Sequence, residues 1–124
     1  MNNNDRHRMM PSARVKILIA VCAAAACHVA SAQSAPEAAT VKPLLVKGTC
    51  LGGHAVDKKV VGPAYHEVAA KYQGDPKAVD LLAEKIVKGG AGLWGPIPMP
   101  AASAITPAEA KILAAWVLAG ASAN

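Results

Sequence analysis

Cys50-Leu51-Gly52-Gly53-His54 places one thiol and one imidazole four residues apart in a chain of 124 residues. The spacing is that of C-x-x-C-H, with Gly53 standing where the second cysteine belongs. In the intact frame two thiols add to the vinyl groups of a haem, and the adjoining His ligates the iron. Here one thiol and the His remain, so Cys50 offers a single thioether.

Upstream of this stretch the chain reads as an export signal over residues 1–32. Arg6, Arg8, Arg14 and Lys16 form a basic start, and Ile17 to Cys27 is an apolar run too short to span a bilayer. Ala30-Ser31-Ala32 supplies the small-residue cleavage pattern, with cutting expected before Gln33. This predicts periplasmic delivery and no membrane span after cleavage. The domain expected is 33–124.

That domain is small, and domains of this size commonly need a staple. An internal disulfide is excluded, because Cys22 and Cys27 leave with the signal and Cys50 stands alone. A lone thiol in an oxidising compartment is exposed to oxidation, and capping it as a thioether removes that hazard. A cofactor is therefore the expected staple. The remaining charge is nine Lys against seven acids with no Arg. This weakly basic balance excludes a nucleic-acid binder. It suits weak, salt-sensitive docking to acidic partners.

Four helical segments and no strand are predicted. Gln33 to Thr40 reads as a loose tail. The first helix is expected from Pro43 into Cys50, with Pro43 at the first helical position. The second runs from Pro63 to Tyr72, where Tyr65, Val68, Ala69 and Tyr72 share one face. The third takes Asp75 as N-cap and ends at Gly89-Gly90. The fourth opens with the capping box Thr106-Pro107-Ala108-Glu109. Pro96-Ile97-Pro98-Met99-Pro100 can be neither helix interior nor central strand, and reads as a stiff extended loop.

A six-coordinate haem iron needs a strong axial nitrogen, a second ligand from the opposite side and apolar walls. His54, beside the covalent anchor, supplies the first. Met99 supplies a thioether on a proline-stiffened loop, which holds a weak donor in place by restricting the unfolded chain. Such His/Met ligation favours the ferrous form.

Four stretches together resemble the short bacterial class I cytochromes c, small periplasmic electron carriers. They are Lys47 to His54, Val60 to Tyr72, Gly92 to Pro100 and Glu109 to Leu118. The resemblance covers most of the domain, and Trp94 to Pro100 is its most specific part. It implies an all-α fold of about four helices around one haem c. It implies His54 and Met99 as axial ligands and Cys50 as the thioether anchor. It further implies that the Pro63 carbonyl accepts the His54 N–H, and that Trp94 approaches a haem propionate. The expected function is one-electron transfer without enzymatic chemistry, by a monomer that meets redox proteins in the periplasm or at the inner membrane.

Gly53 leaves an alternative open: a degenerate, haem-free protein of the same fold that serves as an interaction module. Against it, a haem buries apolar area on the order of 500 Å², worth roughly 12 kcal/mol before binding costs, so one missing thioether need not abolish loading. A copper site from Cys50, His54, His66 and Met99 has the right ligand types, but copper carriers of that kind sit on β-sandwiches. His66 reads as a surface residue, and Tyr65 and Trp116 as core.

Overall fold

A computed structural model describes residues 34–122. The signal expected over residues 1–32 lies outside them. Four helices carry the fold: α1 (Ala38–Lys47), α2 (Tyr65–Lys71), α3 (Ala78–Lys88) and α4 (Pro107–Leu118). A 3-10 turn spans Cys50–Gly52, and two short strands, β1 (Gly90–Gly92) and β2 (Gly95–Met99), lie between α3 and α4. Among the described residues no helix is long and apolar enough to cross a membrane.

α4 is the centre of the packing and touches α1, α2 and α3. Its capping box forms as the sequence indicates. The Glu109 N–H donates to Thr106 Oγ1 at 3.2 Å, and the Thr106 N–H donates to the Glu109 carboxylate at 2.9 Å. Ala110, Leu113, Ala114, Trp116 and Val117 are its buried residues. Lys47 Nζ donates to both Glu109 carboxylate oxygens, at 2.7 and 2.8 Å, which joins the end of α1 to the start of α4. Lys47 first, and the Thr106 N–H second, hold the Glu109 carboxyl below the usual carboxylate range.

α1 begins five residues before the predicted start, and Pro43 lies inside it. An interior proline costs about 3 kcal/mol. Val41 and Leu45, one turn apart, are both buried in the core, and each is worth about 1.5–3 kcal/mol. Burial of that face outweighs the lost bond, and the exposed Pro43 is tolerated. The segment read as a loose tail therefore joins the helix from Ala38 onward.

α2 is shorter than predicted. Pro63 and Ala64 stay outside it, and Glu67 accepts the Ala64 N–H at 2.8 Å. Alanine at the cap has no side-chain oxygen, so this return bond stands alone. α3 starts three residues past the predicted cap, because Asp75 closes a turn of its own. Its carboxylate accepts the Lys77 N–H at 2.8 Å, and its carbonyl accepts the Ala78 N–H at 3.1 Å.

The extended loop expected at Pro96–Pro100 is instead one arm of an antiparallel two-stranded ribbon. Gly90 pairs with Met99 and Gly92 with Gly95, with an irregular register between them. The prolines are compatible because both strands of such a ribbon are edges.

Candidate functional site

Thr49 brings the chain from α1 into the site in the left-handed region, at φ 52 and ψ 29. For a β-branched residue this conformation costs on the order of 1–2 kcal/mol. Its hydroxyl donates to the Gly48 carbonyl at 2.8 Å, which recovers part of that. Replacing Thr49 by glycine relieves this strain but loses the hydroxyl bond and frees the unfolded chain, so the net stabilisation should be below about 1 kcal/mol. The check is a higher urea midpoint with an unchanged slope; a lower midpoint would refute the strain.

The turn sets Cys50 half-buried beside Gly48, whose place is tight. A Cβ on Gly48 would stand 2.9 Å from Cys50 Sγ and 3.1 Å from Ile105. Burial pushes the Cys50 thiol up from its ordinary value, with a smaller downward pull from its own backbone. Cys50 is accordingly a protonated thiol at neutral pH and a weak nucleophile.

The segment after Cys50 folds back on itself through backbone bonds. The Gly53 carbonyl accepts the Val61 N–H at 3.2 Å and the Gly62 N–H at 2.8 Å. The Tyr65 N–H donates to Ala55 O at 3.0 Å. This closure seats the His54 ring. Its Nδ1 donates to the Pro63 carbonyl at 2.8 Å, and a carbonyl can only accept, so Nδ1 carries the proton. Nε2 is thus the ring nitrogen left to bind another partner. The Tyr65 ring stacks on the imidazole at 5.3 Å between centroids and 21° between planes, and meets Trp116 edge-on at 5.4 Å. Burial, and then Cys50, raise the Tyr65 phenol. Gly62 lies so near that a Cβ there would stand 2.5 Å from His54 Cε1.

Met99 closes β2, half-buried. Its position is tied to the end of α3 by Gly89, which has φ 70. A Cβ on Gly89 would collide with the Met99 carbonyl oxygen and stand 2.8 Å from Ala101 N. The Ala102 N–H donates to Ile86 O at 3.0 Å just beyond.

Cys50, His54, Pro63, Trp94 and Met99 all line one cavity of about 470 Å³. That volume lies within the range of about 300–1,000 Å³ typical of cofactor pockets. Val60, Val61, Leu93 and Ile97 are on its wall and stand roughly half exposed. Large apolar side chains left open around a cavity are what an apolar plate would cover. The groups are an imidazole nitrogen, a thioether and a thiol, the set that haem iron and a haem vinyl accept. The residues present therefore fit a haem.

His66 does not belong to this group. Its Nδ1 lies 2.9 Å from the Asp57 carboxylate and its Nε2 lies 2.9 Å from Gly120 O, on an exposed side chain. A copper set that includes His66 is not assembled. Three residues that sequence reasoning left out of the site now enter it. Tyr65 was assigned to the core, but core and cavity wall coincide at His54. Gly62 and Gly89 make room for the His54 ring and the Met99 backbone. The only sequence signal for either was a glycine beside a presumed ligand segment.

No protein-family model matches the sequence. Individual relatives do. Cytochrome c-551 of Allochromatium vinosum is 44% identical over 84 residues, covering 68% of this chain and 89% of that one. Cytochrome c-551 of Pseudomonas denitrificans is 47% identical over 79 residues, covering 64% and 95%. The crystal structure of Nitrosomonas europaea cytochrome c552 superposes with a TM-score of 0.61 at 45% identity, covering 63% of this chain and 96% of that one. The chain belongs to the small bacterial class I cytochromes c, the c-551/c-552 family. This is a family of electron carriers that bind haem c, which fits the haem-carrying reading and not the haem-free one.

Proposed function

We propose that the protein is an exported one-electron carrier in which His54 Nε2 and Met99 Sδ hold a haem iron from its two sides. Cys50 is the single covalent anchor. The convergence of these three groups on one apolar-walled cavity carries this reading. When bound, the haem supplies a reversible one-electron couple; the chain supplies placement, a low dielectric and exclusion of water.

Each residue has a distinct task. The Pro63 carbonyl fixes the His54 tautomer and ring orientation, and strengthens the imidazole as a donor. Tyr65 and Gly62 confine the ring. Gly89 sets the Met99 backbone, so a weak thioether donor is delivered by structure and not by affinity. Trp94, which lines the cavity and is partly exposed, is the contact for a propionate. If His54 and Met99 hold the iron in both oxidation states, oxidation and reduction would require little movement, as fast transfer needs. No bond-making chemistry is assigned. The carrier works as a monomer in the periplasm after loss of residues 1–32. It meets acidic faces of redox proteins there or at the inner membrane through its weakly basic surface.

A pyridine haemochrome spectrum of the exported protein tests the anchor by counting the vinyl groups saturated by sulfur. The expected count is one. A pigment with none would overturn the thioether while leaving the pocket. Gly53 has φ −115 and ψ −18, and a Cβ there meets nothing within 4 Å. A side chain is thus admissible, and Gly53→Cys should give a count of two with a higher melting temperature. A count that stays at one in this variant would show that the open space at Gly53 does not face the second vinyl.

A further inference from the structure

The ribbon that carries Met99 is held differently at its two ends. At its base, Gly89 packs against the Met99 carbonyl, and the Ala102 N–H bonds Ile86 O. Its tip is the two-residue turn Leu93-Trp94, between the pair Gly92–Gly95. There the Lys71 ammonium, from the last turn of α2, stands 5.5 Å from the centroid of the Trp94 ring. Among the described residues this ammonium is in no ion pair. Glu67, one turn back on α2, directs its carboxylate to the Ala64 N–H instead. A cation over an indole face is attracted by the negative charge of the ring.

We propose that Lys71 is a positioning residue for Met99: it straps the ribbon tip to α2 and so keeps the thioether at the iron. The proposal rests on the reading of Met99 as axial ligand. A ribbon pinned at both ends has few ways to swing its last residue away. One pinned at the base alone can open, and a foreign ligand can then take the place of the sulfur. A lysine in the last turn of a helix also complements the helix dipole. That role would appear in thermal stability and would leave competition at the iron unchanged.

The test is cyanide binding to the oxidised, haem-loaded protein, followed by loss of the sulfur-to-iron charge-transfer band. Lys71→Ala and Lys71→Met should each bind cyanide about two- to fivefold more tightly than the unchanged protein, the factor expected for an exposed cation–aromatic contact. Lys71→Arg should restore the original affinity, because a guanidinium stacks on the same ring. Lys42→Ala, which removes the same charge from the exposed side of α1, should change nothing. Unchanged cyanide affinity in Lys71→Ala would overturn the proposal. So would original affinity in Lys71→Met, which would make the contact one of packing, or an equal gain in Lys42→Ala. If the unchanged protein has no charge-transfer band, the Met99 reading fails and the strap fails with it.

Discussion

Replacing Met99 by leucine is expected to abolish the sulfur-to-iron charge-transfer band of the oxidised protein and to lower its reduction potential, while the fold survives. Leucine matches methionine in volume, and such exchanges in packed sites usually cost less than about 1.5 kcal/mol. The sulfur is the only chemistry removed. Met99→Ala removes the packing as well, and at a half-buried site this places the cost near the low end of about 2–5 kcal/mol. The pair separates ligation from packing: both variants lose the band, and only alanine loses much stability. A ferric spectrum in Met99→Leu that matches the original would remove Met99 from the iron and the proposed function with it.

Gly62→Ala is expected to be heavily damaging for the addition of a single methyl group. The added Cβ would stand 2.5 Å from His54 Cε1, 3.0 Å from Nδ1 and 3.2 Å from Nε2. The ring cannot yield freely, since Nδ1 is bonded to Pro63 and Tyr65 is stacked on it. Overpacking of this kind costs about 1–3 kcal/mol, and a broken hydrogen bond adds about 1 kcal/mol. Loss of about 2–4 kcal/mol in denaturant unfolding should accompany a changed Soret band. Gly52→Ala is the matched control, because nothing lies within 4 Å of its Cβ. There the methyl group restricts the unfolded chain and should stabilise by about 0.4–1 kcal/mol. Equal responses from the two glycines would mean that Gly62 does not confine the imidazole.

What was legible beforehand tracks how local the deciding physics is. The start of α4 is written in four consecutive residues, Thr106 to Glu109, whose bonds close on each other, and the helix begins there. The end of α3 at Gly89 was legible for the same reason, but its second task was not. That glycine also makes room for Met99, and this requires the ribbon to return alongside. The ribbon was hidden because Gly90-Ala91-Gly92 has no alternating apolar pattern and β2 is filled with prolines. The true start of α1 was hidden because a local rule about proline competes with burial of Val41, which only the assembled core decides. The candidate site residues stand out by type and spacing, whereas the confinement of His54 by Gly62 depends on a loop closed by backbone bonds. Side-chain identity carries no trace of such a closure.

The ribbon has one more property. Three of the six positions from Gly95 to Pro100 are prolines and carry no amide hydrogen. An exposed strand normally offers a template on which a second molecule can build intermolecular sheet, the first step toward fibrils. With half of its donors deleted, this arm is a poor template. The residues that stiffen the segment thus also work against edge-to-edge association at this strand.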